Sequence, residues 1–91
     1  MSTIEHGSSE EQSKICSLVD MITRQLVDNP EQLEIRESVD EESCLIEISV
    51  APDDVGKIIG RHGRIIKSIR ALARAAATSS GLGQVDVEIV S

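Results

Sequence analysis

Two glycines, Gly60 and Gly63, interrupt an apolar pattern of helical spacing, and this interruption limits the fold more than any other feature of the chain. The segment Pro-Asp-Asp at 52–54 precedes the pattern and is a helix-start signal, because proline suits the first turn and acids favour the positive end of the helix dipole. The spacing therefore predicts a short helix that ends at Gly60 and a longer helix from about 64 to 78. The turn between them has no Cβ at either corner.

The remaining segments predict one more helix and three strands. Apolar residues recur at helical spacing before Pro30, and the helix they predict buries Ile15, Leu18, Val19, Ile22 and Leu26. Alternating residues at 33–36 and 44–50 predict two strands joined by a loop at 39–43, and 85–89 predicts a last strand. The helix after the glycine turn is expected to bury Ile65, Ile69, Leu72 and Ala76, with Ile66 and Ala73 beside them. A three-stranded sheet with helices on one face accommodates this order.

No Phe, Trp or Tyr occurs among the 91 residues, so a core built from the 40% of hydrophobic residues must be aliphatic. This excludes RNA-binding modules that stack bases on aromatic side chains. Residues 1–12 are polar and acidic and are expected to form a disordered tail, followed by a single domain over 13–91. No signal peptide is recognisable and no apolar run is long enough to span a membrane, which predicts a cytoplasmic protein.

The formal net charge of −7 conceals two segments of opposite sign. Residues 1–54 carry 14 acidic and three basic side chains. Residues 57–74 carry no acidic side chain and six basic ones, namely Lys57, Arg61, Arg64, Lys67, Arg70 and Arg74. One interpretation is a solvated basic helix face that offsets the acidic half. The other is a polyanion-binding surface, which the position of the cluster around a glycine turn favours.

The turn itself, Gly60-Arg61-His62-Gly63, has the composition of a loop that holds a phosphate backbone. Glycine at both corners lets a sugar–phosphate chain approach closely, and unpaired N–H groups at the start of the next helix favour anions. The side chains expected to flank that backbone are Arg61, His62, Lys57, Arg64 and Lys67. The alternative is a helix–turn–helix corner in which the glycines only permit the turn.

The segment from Val50 to Arg74, with Ile58-Ile59 before the turn and Ile65, Ile66 and Ile69 after it, resembles the signature of the KH (K-homology) domain. In that domain a Gly-x-x-Gly loop clamps about four nucleotides of backbone. The element order resembles the type II arrangement, and the size is similar to that of small bacterial RNA-binding proteins with a single KH domain. The resemblance implies an α+β fold with a three-stranded mixed sheet packed on helices.

The resemblance also implies a ligand and a role. The ligand would be single-stranded RNA, held in a groove between the short helix, the loop, the next helix and the sheet edge, and the role that of an RNA chaperone or post-transcriptional regulator. The residues implied to bind RNA are Gly60, Arg61, His62, Gly63, Arg64, Lys57, Lys67, Ile59 and Ile66, with Ile58 and Ile69 backing the groove. A homodimer and a second RNA-binding protein as partner are implied as well. His62 departs from the lysine that family loops often carry, so we expect binding to strengthen at mildly acid pH.

Other functions have weaker support. Catalysis is not expected, because His6 lies in the predicted tail and no nucleophile, base and orienting group can be assembled. No cofactor or metal is predicted, since Cys16 and Cys44 form no Cys-x-x-Cys pair and are interpreted as buried free thiols. The alternative function is a KH-like protein-interaction module without RNA binding, whose acidic first helix and hairpin dock a basic partner. A third possibility combines RNA on the basic face with protein on the acidic face or the sheet face.

Overall fold

The computed structural model of the chain describes residues 10–41, 43–79, 81 and 83–90. Its helices and strands, in chain order, are α1 Glu10–Leu26, β1 Glu34–Val39, β2 Ser43–Ser49, α2 Val55–Ile59, α3 Arg64–Ser79 and β3 Gln84–Val90. Three single 3₁₀ turns lie between them, at Pro30–Gln32, Pro52–Asp54 and Arg61–Gly63. The predicted order of elements, and with it the α+β class, is confirmed.

The three strands form one mixed sheet in the order β1-β2-β3. Strand β1 pairs antiparallel with β2, where Ile35 lies opposite Ile48, and β3 pairs parallel with β2, where Val87 lies opposite Ile46. In β2 the buried residues alternate with half-buried ones, because one face of the sheet packs on the helices and no described element covers the other. The mixed sheet implied by the family resemblance is therefore present.

The core is aliphatic, as the composition predicts, but one side of α3 was assigned wrongly. The buried residues of α3 are Ile66, Ile69, Ala73 and Ala77. Leu72, predicted to be buried, is 50% exposed, since the buried row of α3 is rotated toward Ala73 and Ala77 and away from Leu72. In α1 the buried row continues through Thr23, whose hydroxyl donates to the carbonyl of Val19 at 2.9 Å.

The element ends differ from prediction by a few residues. Helix α1 already includes residues 10–12, which were predicted as tail; residues 1–9 of that tail lie outside the described residues. Strand β1 continues to Val39, and the Asp40 N–H donates to the carbonyl of Ser43 at 2.8 Å to close the hairpin. Gly81, at φ +81°, follows α3, and its N–H donates to Thr78 at 3.1 Å. No helix in the described ranges is both long and apolar enough to cross a membrane.

The two cysteines are free thiols, but only one is buried. Cys44 is 2% exposed and Cys16 is half-buried. Burial raises the pKa of Cys44 to about 11, with further contributions from the charge and the hydrogen bond of Glu37, whose carboxylate lies 3.7 Å from the Cys44 sulfur. Within the described part of the chain, no group of three or more His, Cys, Asp or Glu side chains could hold a metal ion.

Candidate nucleic-acid interface

The turn between α2 and α3 depends on left-handed backbone at three of its four positions. Gly60 ends α2 at φ +77°, ψ 172°, His62 has φ +59°, ψ 24°, and Gly63 has φ +72°. Glycine adopts such angles readily, and histidine is among the side chains found there more often than most. The chain thus reverses within four residues and presents the tip of the loop to solvent.

The two glycines are required for different reasons. A Cβ on Gly60 would lie 2.5 Å from Cγ1 and 2.8 Å from Cβ of Ile65, so α3 packs directly on the bare glycine. A Cβ on Gly63 would meet nothing within 4 Å. Gly60 is therefore fixed by packing and backbone together, and Gly63 by its backbone angle alone.

The backbone donors of the turn are partly used within it. The N–H of Gly63 donates to the carbonyl of Gly60 at 3.1 Å, and the N–H of Arg64 donates to that of Arg61. The N–H groups at the start of the long helix are predicted from sequence to be unpaired. The 3₁₀ turn that leads into α3 satisfies two of these donors, so the attraction for anions depends mainly on side chains.

Those side chains are basic and solvent-exposed. Arg61 and His62 lie at the tip, and Arg64 and Lys67 lie in the first turn of α3. Among the residues that the structure describes, Arg61, Arg64 and Lys67 form no ion pair, so their charges are available to a ligand. The structure brings together four of the predicted side chains around one turn.

Lys57, the fifth side chain predicted to flank the RNA backbone, already forms ion pairs within the protein. Its ammonium lies 3.2 Å from Asp28 and 3.6 Å from Asp54. The hydrogen bond to Asp28 and the negative charge of that residue raise the pKa of Lys57, and Asp54 adds to the effect. Lys57 therefore contributes little free positive charge, because two carboxylates offset it.

Asp54 is a polar residue of the site whose burial the sequence did not indicate. It lies at the predicted helix start and is completely buried, while Asp53 beside it is exposed. Burial by itself would raise the pKa of Asp54, but hydrogen bonds from Asp28 and Asn29 and the charge of Lys57 lower it overall. The one sequence signal was the i, i+3 spacing of Asp54 and Lys57.

The isoleucines around the loop divide into core and surface. Ile58, Ile66 and Ile69 are 0%, 6% and 1% exposed. Ile66, predicted to contact RNA, thus belongs to the hydrophobic core, as the other two do. Ile59 is 38% exposed and is the one of these four that presents apolar surface beside the loop.

A cleft lies between the C-terminal half of α3 and the start of the edge strand β3. It has a volume of about 370 Å³, and its lining includes Arg74, Thr78, Gln84 and Asp86. Nearby, the Arg70 Nε donates to the carbonyl of Val87 at 3.0 Å, which ties α3 to β3. From sequence, Arg70 is predicted only to add positive charge. Its position four residues after Ile66, however, places it beside the buried residues of α3.

The chain is similar to a known protein family and to several known proteins. The family described as "KhpA/KhpB, KH domain" matches residues 17–89. The chain is 45% identical over 73 residues to RNA-binding protein KhpA of Clostridium perfringens, covering 80% of this chain and 96% of that protein. It is 47% identical, with the same coverage, to RNA-binding protein KhpA of Caldanaerobacter subterraneus subsp. tengcongensis. For RNA-binding protein KhpA of Chlamydia pneumoniae the identity is 42% over 69 residues, which is 76% of this chain and 87% of that protein. No solved structure gives a significant match.

Proposed function

Since the chain belongs to the KhpA/KhpB family of KH-domain proteins, we propose that it binds single-stranded RNA through the loop Gly60–Gly63 and the start of α3. The observation that carries the proposal is a set of exposed cations around this turn that form no ion pair within the described part of the chain, although the net charge of the chain is −7. Arg61, Arg64 and Lys67 attract phosphates, and His62 adds a hydrogen-bonding imidazole at the tip. Ile59 offers an apolar surface on which a base can rest.

Preference for a single strand follows from the shape of the surface. The exposed cations lie on one tight turn and one helix end, which suits a short stretch of flexible backbone. Contacts of this kind read the backbone more than the bases, so we expect tolerance of RNA sequence. A role as RNA chaperone or post-transcriptional regulator in the cytoplasm, a homodimer, and a second RNA-binding protein as partner are further parts of the proposal, supported by the family resemblance alone.

The test is an RNA titration of the Arg61→Asp, His62→Asp double variant. Aspartate tolerates the left-handed backbone at position 62, and both side chains are exposed, so the fold should survive. With a labelled single-stranded RNA we expect binding to be lost, and with the same strand annealed to its complement we expect weak binding throughout. Unchanged affinity in a double variant that circular dichroism shows to be folded would refute the proposal.

A matched control separates local contact from total charge. Lys14→Asp with Ser17→Asp changes the net charge by the same three units on exposed positions of α1. We expect this control to weaken RNA binding only slightly, because it leaves the loop intact and long-range charge effects are screened by salt. Equal losses in both double variants would mean that no specific clamp exists.

The alternative, a protein-interaction module, has one observation in its favour. The face of the sheet turned away from the helices is uncovered by any described element and carries four acidic side chains, Glu34, Glu47, Asp86 and Glu88, against one basic side chain, Arg36. A basic protein would fit that face. If the wild-type protein does not bind RNA, this alternative is favoured.

A further inference from the structure

The buried carboxylate of Asp54 joins two segments that are far apart in sequence. Its Oδ1 accepts the N–H of Asp28 at 3.1 Å, and its Oδ2 accepts the N–H and the side-chain amide of Asn29 at 2.9 and 3.1 Å. These donors belong to the turn that follows α1, whereas Asp54 immediately precedes α2. A completely buried carboxylate with three donors is a strong and specific link, because hydrogen bonds to a charged group are worth more than neutral ones.

Helix α2 needs such a link. It has five residues, too few to be stable on its own. Its beginning is held by Asp54, and its end is held where Gly60 meets Ile65. Buried Ile58 packs the middle of the helix into the core. The direction in which α2 leads into the loop therefore depends on Asp54 together with these two contacts.

Building on the proposed function, we propose that Asp54 is a positioning residue for RNA binding: through the turn at Asp28 and Asn29 it sets the orientation of α2 and so of the loop Gly60–Gly63. It does not contact RNA, since it is completely buried. The same carboxylate also helps to hold the ammonium of Lys57 on the α1 side of α2, at 3.6 Å. Loss of Asp54 would leave the loop folded but free to adopt several directions.

The sign of the effect separates positioning from electrostatics. Asp54→Asn removes a negative charge beside a polyanion site, which by charge alone would strengthen RNA binding. Positioning requires the opposite, because the amide accepts through one oxygen where the carboxylate accepted through two. We expect binding to weaken about three- to tenfold. The slope of log K against log salt should also become shallower, since fewer phosphates are engaged.

The matched control is Glu31→Gln, which removes the same charge from an exposed residue in the turn after α1. Its affinity should equal or slightly exceed that of the wild type. Both variants are titrated with the same labelled single-stranded RNA at a temperature at which circular dichroism shows each to be folded. Asp54→Asn binding as tightly as Glu31→Gln, with a lower melting temperature, would mean a merely structural role and would overturn the proposal.

A milder variant covers the case in which Asp54→Asn does not fold. Asn29→Ala removes one of the three donors, changes no charge and leaves both backbone N–H groups in place. We expect about two- to threefold weaker binding from this variant, in the same direction as Asp54→Asn. If Asp54→Asn does not fold, unchanged affinity in folded Asn29→Ala would refute positioning while RNA binding by the wild type stands. Absence of binding by the wild type would instead refute the proposed function.

Discussion

The two glycines of the loop should differ sharply when each is replaced by alanine. At Gly60 the new methyl group would lie 2.5 to 2.9 Å from three side-chain carbons of Ile65, on a backbone at φ +77° and ψ 172°. At Gly63 the methyl group would meet nothing within 4 Å, on a backbone at φ +72°. Gly56, inside α2, offers a third case, because it has open space and no positive φ.

The magnitudes follow from these three environments. Gly60→Ala combines a conformation that is nearly exclusive to glycine, at about 1–3 kcal/mol, with overpacking against Ile65 at about 1–3 kcal/mol. Its expected loss of unfolding free energy is therefore about 2–6 kcal/mol. Gly63→Ala should lose only about 1–2 kcal/mol. Gly56→Ala should gain about 0.5–1 kcal/mol, since alanine is the better helix residue.

Urea denaturation followed by far-ultraviolet circular dichroism measures all three variants. Intrinsic fluorescence cannot be used, because the chain has no Trp, Tyr or Phe. A domain of this size has an unfolding free energy of roughly 5–14 kcal/mol, so Gly60→Ala can remove a large part of it. Equal losses for Gly60→Ala and Gly63→Ala would show that contact with Ile65 is irrelevant and that backbone angle alone selects glycine.

Three further outcomes are expected. Asp28→Asn frees Lys57 from its closer ion pair and should strengthen RNA binding about two- to fivefold in a titration, with little change in stability because the pair is largely exposed. Folding lowers the pKa of Asp54, so the stability that its carboxylate contributes is present above its ordinary pKa of 3.8 and is lost as the pH falls below it. Urea denaturation below about pH 4 should show this loss in the wild type and not in Asp54→Asn. With a pKa of about 11, Cys44 holds roughly a thousandth of its thiol as thiolate at pH 8, so mass spectrometry should find it unalkylated by iodoacetamide until urea unfolds the chain.

The periodic patterns predicted the elements well and their orientation less well. Strand β2 alternates strictly, so its buried face could be assigned from sequence. Helix α3 has apolar residues on more than half of its circumference, including Ile65, Leu72 and Ala76 beside the row that is buried. Such a helix can turn either row inward, and packing against the sheet decides, which is why Leu72 was wrongly assigned to the core.

The position of the loop and its basic character could be predicted from sequence, whereas the contacts that support the loop could not. A glycine pair with basic side chains is visible as local sequence. Asp53 and Asp54 are identical neighbours, and only contact with a turn 25 residues away makes one buried and leaves the other exposed. Contacts over such sequence distances have no local pattern, so the residue that we propose to position the loop could be identified only in three dimensions.

The contacts that the six basic residues of 57–74 already make within the protein limit how strongly salt should weaken RNA binding. Lys57 is paired with two carboxylates, and Arg70 is bound to the carbonyl of Val87. The other four, Arg61, Arg64, Lys67 and Arg74, have no ion pair in the described part of the chain. For a single strand, three to four neutralised phosphates give a slope of log K against log salt of about −2 to −3.

Titrations at several salt concentrations and neutral pH measure this slope. A value near zero would contradict binding through phosphates. A slope steeper than about −3 would mean that RNA recruits a cation beyond these four. The Asp28→Asn variant then decides whether that cation is Lys57. If RNA already displaces Asp28 from Lys57 in the wild type, the slope of the variant should equal the steep wild-type slope. If RNA does not displace Asp28, the slope of the variant should be steeper than that of the wild type by about 0.7.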